Sequence, residues 1–181
     1  MKADRQKLII TAASGLLGNK IVEPAKNDHT VIPLHKTKPL HSNSLKLDIT
    51  NAVEVLNLFN KLKPAIIVHT ASETNVAKCE TEKEHAWKVN VEGTRNVAEA
   101  CDEASAKLIH ISTDYVFDGE KGNYKEQDKP NTVNYYGITK LEGENQVISH
   151  CKNYAILRTS VIYGWHPWEQ NFARTDTYSS F

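Results

Sequence analysis

Neither sign of charge prevails in this chain: twenty-two Lys and Arg stand against twenty-two Asp and Glu over 181 residues. With no net field there is no general attraction to nucleic acid or to an anionic membrane surface, so any bound anion must be held by local groups. Long apolar runs are lacking too, which leaves no candidate for a membrane-spanning helix. Met1-Lys2-Ala3-Asp4-Arg5 leads straight into a strand without the hydrophobic region of a secretory leader, and a cytoplasmic address is the expectation. Cysteine is scarce. Cys79, Cys101 and Cys151 are odd in number, scattered and without metal-ligand spacing, which predicts reduced, partly buried thiols and no metal site. Internal repeats and low-complexity tracts are absent. What is there, 40% hydrophobic and 24% charged residues, suits one globular domain with a real core.

Short apolar runs alternate with helical patterns along most of the chain. Strands are predicted over 7–11, 29–34, 65–69, 107–112 and 154–159, and helices over 16–25, 52–62, 81–103 (one long helix) and 135–150. Strands separated by helices imply an α/β fold, a doubly wound parallel sheet with helices on both faces and ligands at the carboxyl ends of the strands. Residues 118–134, with Gly119, Gly122, Pro130 and many charges, read as a surface loop. After Gly164 the character changes. Residues 165–174 could start another helix, whereas 175–181 carry no helical periodicity.

The most informative stretch is Asn134-Tyr135-Tyr136-Gly137-Ile138-Thr139-Lys140-Leu141-Glu142-Gly143-Glu144. A Tyr and a Lys four apart share a helix face, and an ammonium one turn away from a phenol favours the phenolate, which brings the phenol toward useful acid/base behaviour. The spacing alone also fits a plain surface pair. Two further motifs accompany it. After the first strand, Ala12-x-x-Gly15-x-x-Gly18 forms a turn into a helix whose N–H groups and positive end suit a pyrophosphate, with Ala12 where the tightest glycine would stand. The Ala12 methyl is expected to strain the turn or crowd a cofactor, and a merely structural turn is the alternative. After the second strand, Leu34-His35-Lys36-Thr37-Lys38 has no acid for the ribose 2′-OH of NAD, and Lys36 suits a 2′-phosphate, although a solvated basic loop fits nearly as well.

Together these motifs and His110-Ile111-Ser112-Thr113-Asp114-Tyr115-Val116-Phe117-Asp118-Gly119 resemble the extended short-chain dehydrogenase/reductases, and within them the dTDP-4-dehydrorhamnose reductase (RmlD-like) group. The similarity runs from about residue 7 to about 164. It implies a Rossmann-type fold, NADPH as cofactor with NADH as the alternative, a 4-keto nucleotide-sugar as substrate, and Thr113, Tyr136 and Lys140 as the catalytic set. It further implies that Gly15, Leu16, Leu17 and Gly18 line the pyrophosphate turn, that Asp48 and Ile49 flank the adenine, and that Ser72, Glu73 and Thr74 pass the cofactor. Lys36, Tyr136 and Lys140 complete the cofactor contacts, and Ser112 and Thr113 face the substrate carbonyl. Asn90 matches the asparagine of Val-Asn-x-x-Gly-Thr, with an internal polar cap as the alternative. His110 is expected to be a satisfied interior imidazole. Tyr115, Phe117, Trp87, Trp165 and Trp168 are expected to pack, with a substrate-facing role open for Tyr115 and Phe117.

The pattern departs from the family at Ala12, at Val161, where the rhamnose-forming enzymes carry a tryptophan, and after residue 164. The expected organisation is a cofactor-binding domain over 1–164 and the start of an incomplete substrate-binding region over 165–181, as in a truncated or frameshifted gene product. An exposed last strand would invite self-association into a homodimer. A second function stays open: a noncatalytic regulatory module similar to the β subunit of methionine adenosyltransferase, which shares the Gly-Leu-Leu-Gly turn. An inactive truncated reductase is the third possibility.

Overall fold

The computed structural model describes residues 5–164. The first strand, β1 (Lys7–Thr11), is apolar and buried along nearly its whole length, as a strand covered on both faces must be. Around it assemble α1 (Leu16–Ala25), β2 (Thr30–His35), β3 (Leu45–Lys46), α2 (Ala52–Leu62), β4 (Ile66–His69), α3 (Val76–Thr81), α4 (Lys83–Trp87), a π-helical turn (Lys88–Glu92), α5 (Gly93–Glu103), β5 (Lys107–Thr113), α6 (Tyr135–His150) and β6 (Tyr154–Thr159). All six strands are parallel, in the order β3-β2-β1-β4-β5-β6. This is the doubly wound dinucleotide-binding order, and its direction reverses between β1 and β4.

The period of two along the strands divides the core. Ile9, Ile67 and Leu108 pack with Val55 and Phe59 of α2, Val97 of α5 and Val147 of α6 on one face. Leu8, Ile10, Val31 and Val68 pack with Val22 of α1 on the other. Helix starts follow local chemistry: Asn51, Asn75 and Asn134 each accept a first-turn N–H at the heads of α2, α3 and α6.

Four differences from the sequence-based expectation have physical causes. The second strand lies one residue later than 29–34, and β3, which was not expected, pairs with its last two residues. The Leu34 carbonyl accepts from Ala13 of the β1 turn, so Pro33 turns its nitrogen to the β3 side, below the start of β3, where no ladder bond is lost. The long helix over 81–103 is broken: Glu82 is non-helical, α3 precedes it, and the chain widens into the π turn at Lys88–Glu92. There the Thr94 hydroxyl takes the Asn90 carbonyl at 2.7 Å while the Asn90 side chain is drawn out of the helix into bonds with neighbouring segments. Finally, β5 extends through Thr113, one residue beyond the expected end. Trp165, Trp168 and the region 165–181 lie outside the described residues.

Candidate active site

The switch point between β1 and β4 is closed by one hydroxyl. Thr11 Oγ1 accepts from the N–H groups of Thr70 and Ala71, at 3.0 and 3.1 Å, and lies 2.9 Å from His69 Nδ1. With its lone pairs used, the hydroxyl donates to His69 Nδ1, and the other ring nitrogen, Nε2–H, faces Thr94 Oγ1 at 3.2 Å. The imidazole is therefore neutral, as its burial requires, and burial holds its pKa down to about 3.

Above this floor, two adjoining cavities open at the strand ends and share Ala12 and Ser72. One, of about 350 Å³, is lined by Gly15, Leu16, Leu17 and Gly18 on one side and by Thr113, Tyr136 and Lys140 on the other, with Ser72, Thr74 and Ser112 between. The second, of about 220 Å³, is lined by Lys36, Asp48, Ile49, Ser72 and Glu73. Every residue expected at the site thus borders one or other of these adjoining cavities, although the motifs are spread over more than a hundred positions of chain.

The α1 turn shows how the anion end is built. Gly15 is the N-cap, and α1 has neither a side-chain cap bond nor an acidic residue in its first turn, so its leading N–H groups suit an anionic ligand in the cleft. Gly18 allows the helix to approach: a Cβ there would lie 2.5 Å from the Ala12 carbonyl oxygen and 2.9 Å from Ala13 Cα. Ala12 itself adopts φ +46°, the left-handed region in which a Cβ is crowded, at about 1–2 kcal/mol. The strain expected from its methyl is present in the backbone.

At the other end of the crevice, Lys36 Nζ pairs with Asp48 Oδ2 at 2.9 Å. Burial would raise the Asp48 carboxyl, but the hydrogen bonds from Lys36 and Thr50 outweigh it and hold it below its ordinary range. An acid does reach the end of β2, from the segment after β3 rather than from residues 34–38. Glu73 is likewise held low, against its partial burial, by Lys78 at 2.8 Å and the Asn75 N–H.

The Tyr136–Lys140 pair differs from the expected arrangement. Lys140 is buried and donates to the Ile111 carbonyl at 2.8 Å, and no ion pair or hydrogen bond joins it to Tyr136. Burial pushes the Tyr136 phenol up to about 12, against a hydrogen bond from Thr113 that favours the phenolate. Burial also lowers Lys140 to about 8, with the Glu144 carboxylate opposing the shift. The phenol therefore holds its proton at neutral pH, and desolvation outweighs the ammonium in setting its behaviour. Ser112 differs as well: its hydroxyl donates to Glu144 Oε1 at 2.5 Å, whereas the Thr113 hydroxyl lies beside Tyr136, 3.2 Å from Asp114 Oδ1 and accepting from the Tyr115 N–H.

Asn90 is spent on structure. Its Oδ1 accepts from Ser72 Oγ and the Glu73 N–H at 2.9 and 2.8 Å, and its Nδ2 donates to the Glu73 carbonyl and to Thr139 Oγ1, both at 3.0 Å. It fixes the loop after β4 against α6. His110 is interior, as expected, but neither ring nitrogen has a partner among the described residues. Its ring lies 5.3 Å from that of His69, and burial with Lys140 nearby keeps it neutral. Tyr115 meets Tyr136 edge-on at 5.7 Å, Phe117 stacks on Tyr124 at 4.3 Å, and Trp87 is partly exposed. Cys79, Cys101 and Cys151 are free and buried.

Sequence reasoning missed Thr11, His69, Glu144 and Arg158, which form the floor and back wall. Glu144 had a signal in its place one turn after Lys140. Arg158 had none, since its role depends on the pairing of β6 with β5. Among the described residues, no helix is long and apolar enough to cross a membrane, and no cluster of acidic, His or Cys side chains suits a metal ion.

The six parallel strands form a Rossmann-type doubly wound sheet with an uncapped helix at its switch point, and a Thr, a Tyr and a Lys line the facing wall of the crevice. The RmlD substrate binding domain family model matches residues 6–177, and the chain belongs to that family. It is 35% identical over 170 residues to the dTDP-4-dehydrorhamnose reductase of Aggregatibacter actinomycetemcomitans, covering 93% of this chain and 55% of that protein. It is 34% identical over 162 residues to the methionine adenosyltransferase 2 subunit beta of Danio rerio, covering 88% of this chain and 49% of that one. Among solved structures, a dTDP-4-dehydrorhamnose reductase of Bacillus anthracis in complex with NADP superposes with a TM-score of 0.82 at 37% identity, over 89% of this chain and 55% of that chain. The chain spans about half the length of these relatives.

Proposed function

We propose that this chain carries the cofactor-binding and proton-donating part of an NADPH-dependent reductase acting on a 4-keto nucleotide-sugar. The observation that supports this most is the convergence of the uncapped α1 turn, Thr113, Tyr136 and Lys140 on one cleft. In this reading residues 1–164 form the dinucleotide unit, and 165–181 open the substrate-binding part. Gly15, Leu16, Leu17 and Gly18 hold the pyrophosphate through backbone N–H groups. Asp48 and Ile49 flank the adenine, Lys36 turns from Asp48 to the 2′-phosphate, and Ser72, Glu73 and Thr74 border the cofactor's path. The nicotinamide supplies hydride when bound. Thr113 orients the ketone oxygen, the Tyr136 phenol donates its proton to that oxygen, and Lys140 holds the nicotinamide ribose and the charge balance beneath it.

A second reading is favoured by the methionine adenosyltransferase relative and by the strained Ala12: a nicotinamide-binding regulatory module that docks on an enzyme without turnover. Titration with NADPH and NADH, followed by nicotinamide fluorescence, tests the shared premise. NADPH should bind more tightly than NADH, and Ala12→Gly should tighten both by relieving the turn. Failure of both nucleotides with both chains would sink the two readings together. Binding without reduction of a 4-keto nucleotide-sugar would favour the regulatory one.

A further inference from the structure

Beneath the cleft, α6 grips two successive residues of β5. Lys140 donates to the Ile111 carbonyl, and one turn later Glu144 accepts from the hydroxyl of Ser112. Residues four apart on a helix stand one above the other, so their two anchors fix both the height and the rotation of α6 on the strand. Glu144 is buried and is closed from the far side by Arg158, which stands opposite Ser112 on β6. Arg158 meets the carboxylate as a fork, Nε to Oε1 at 3.0 Å and Nη2 to Oε2 at 2.7 Å, and its guanidinium lies 5.1 Å over the Phe117 ring. The carboxylate oxygens thus accept from β5 and β6 at once, while Lys140 carries its charge into an interior that also holds the imidazoles of His69 from β4 and His110 from β5.

We propose that Glu144, clamped by Ser112 and Arg158, is a positioning residue that keeps the Lys140 ammonium charged and aimed at the cleft. Its functional meaning rests on the reductase reading, in which Lys140 contacts cofactor. The carboxylate thereby serves two cations, the Arg158 fork on β6 and the Lys140 ammonium one turn away. An amide could accept the Ser112 hydrogen bond. Only a charge offsets the cost of an ammonium among neutral rings. The partly exposed Arg158 in turn tempers that charge. Glu144 thus stands between a cation on β6, which it pairs directly, and the ammonium one turn earlier on its own helix, which it favours.

The groups facing Lys140 are Glu144 and Tyr136 from its own helix, His69 from β4 and His110 from β5. The imidazoles stay neutral through the range in which Lys140 titrates, near 8. The test is a 13C NMR titration of the lysine ε-carbons in the whole chain, with the Lys140 signal assigned by its loss in Lys140→Arg. Glu144→Gln should move the Lys140 midpoint down by about one unit, and Arg158→Gln should move it up. Arg158→Lys, which keeps the charge, should restore the native midpoint. If Glu144→Gln does not fold, the Arg158→Gln and Arg158→Lys pair decides alone. Midpoints that stay at the native value, or that move the same way in Glu144→Gln and Arg158→Gln, would overturn the proposal. The readout needs neither cofactor nor substrate. A failed reductase assay with the expected midpoints would remove the functional reading and leave the clamp standing, whereas native midpoints with intact turnover would do the reverse.

Discussion

Tyr136 shows how burial can override a charge one helical turn away. The nearby ammonium was expected to lower the phenol. Instead burial raises it to about 12, and the Thr113 hydrogen bond offsets only part of that rise. A phenol in this state keeps its proton at neutral pH but is a weaker acid than an ordinary one, so in the proposed reaction it gives that proton up only as negative charge builds on the ketone oxygen. Tyr136→Phe should therefore lower turnover by about a hundred- to ten-thousand-fold while leaving NADPH affinity and the urea midpoint within error of the native chain. Steady-state kinetics beside a binding titration check this. Retained turnover would remove Tyr136 from the proton-donating role.

At the scale of elements, the site depends on how closely α6 lies against the π turn and α5. Gly143 has its Cα turned to Asn90, and a Cβ there would come within 2.7 Å of the Asn90 carbonyl oxygen. That carbonyl already accepts from Thr94, and the Asn90 side chain holds Ser72, Glu73 and Thr139, so the backbone has little room to give. Gly143→Ala should cost about 1–3 kcal/mol in urea unfolding, despite the better helix propensity of alanine. It should also weaken nicotinamide nucleotide binding, since Asn90 holds Ser72 and Glu73, which border the crevice. A gain in stability would show that α6 tolerates a wider gap.

For the whole molecule, the two buried imidazoles link folding to pH. An unfolded imidazole titrates near 6.5, whereas burial holds His69 to about 3 and His110 well below its ordinary range. Between those values the unfolded chain takes up protons that the folded chain refuses. The stability these groups allow is complete above about pH 6.5 and is lost as pH falls below it, for His69 until about 3, at up to about 1.4 kcal/mol per pH unit for each ring. His110, with no partner for either nitrogen among the described residues, is the better target. His110→Leu should raise stability at pH 5 by more than at pH 8 and shift the acid-unfolding midpoint downward. Equal gains at both pH values would mean that the ring does not take part in the acid transition.

Local pattern by itself determined most of the elements. The bounds of β1, α1, α2, α6 and β6 follow from apolar period and from punctuation by Gly15, Asn51 and Asn134, because strands and helices answer to neighbours a few residues away. The motifs likewise marked which residues border the crevice. Only the tertiary structure decided what those residues do to one another. The π turn within the expected long helix goes with Asn90 reaching loop and helix at once, and the Asp48–Lys36 pair joins segments that no local pattern connects. The direction of the Tyr136 shift and the Glu144–Arg158 fork depend on depth and on the order of strands in the sheet. Desolvation and charge pairing are set by every group that surrounds a side chain, and those groups come together only when the sheet closes.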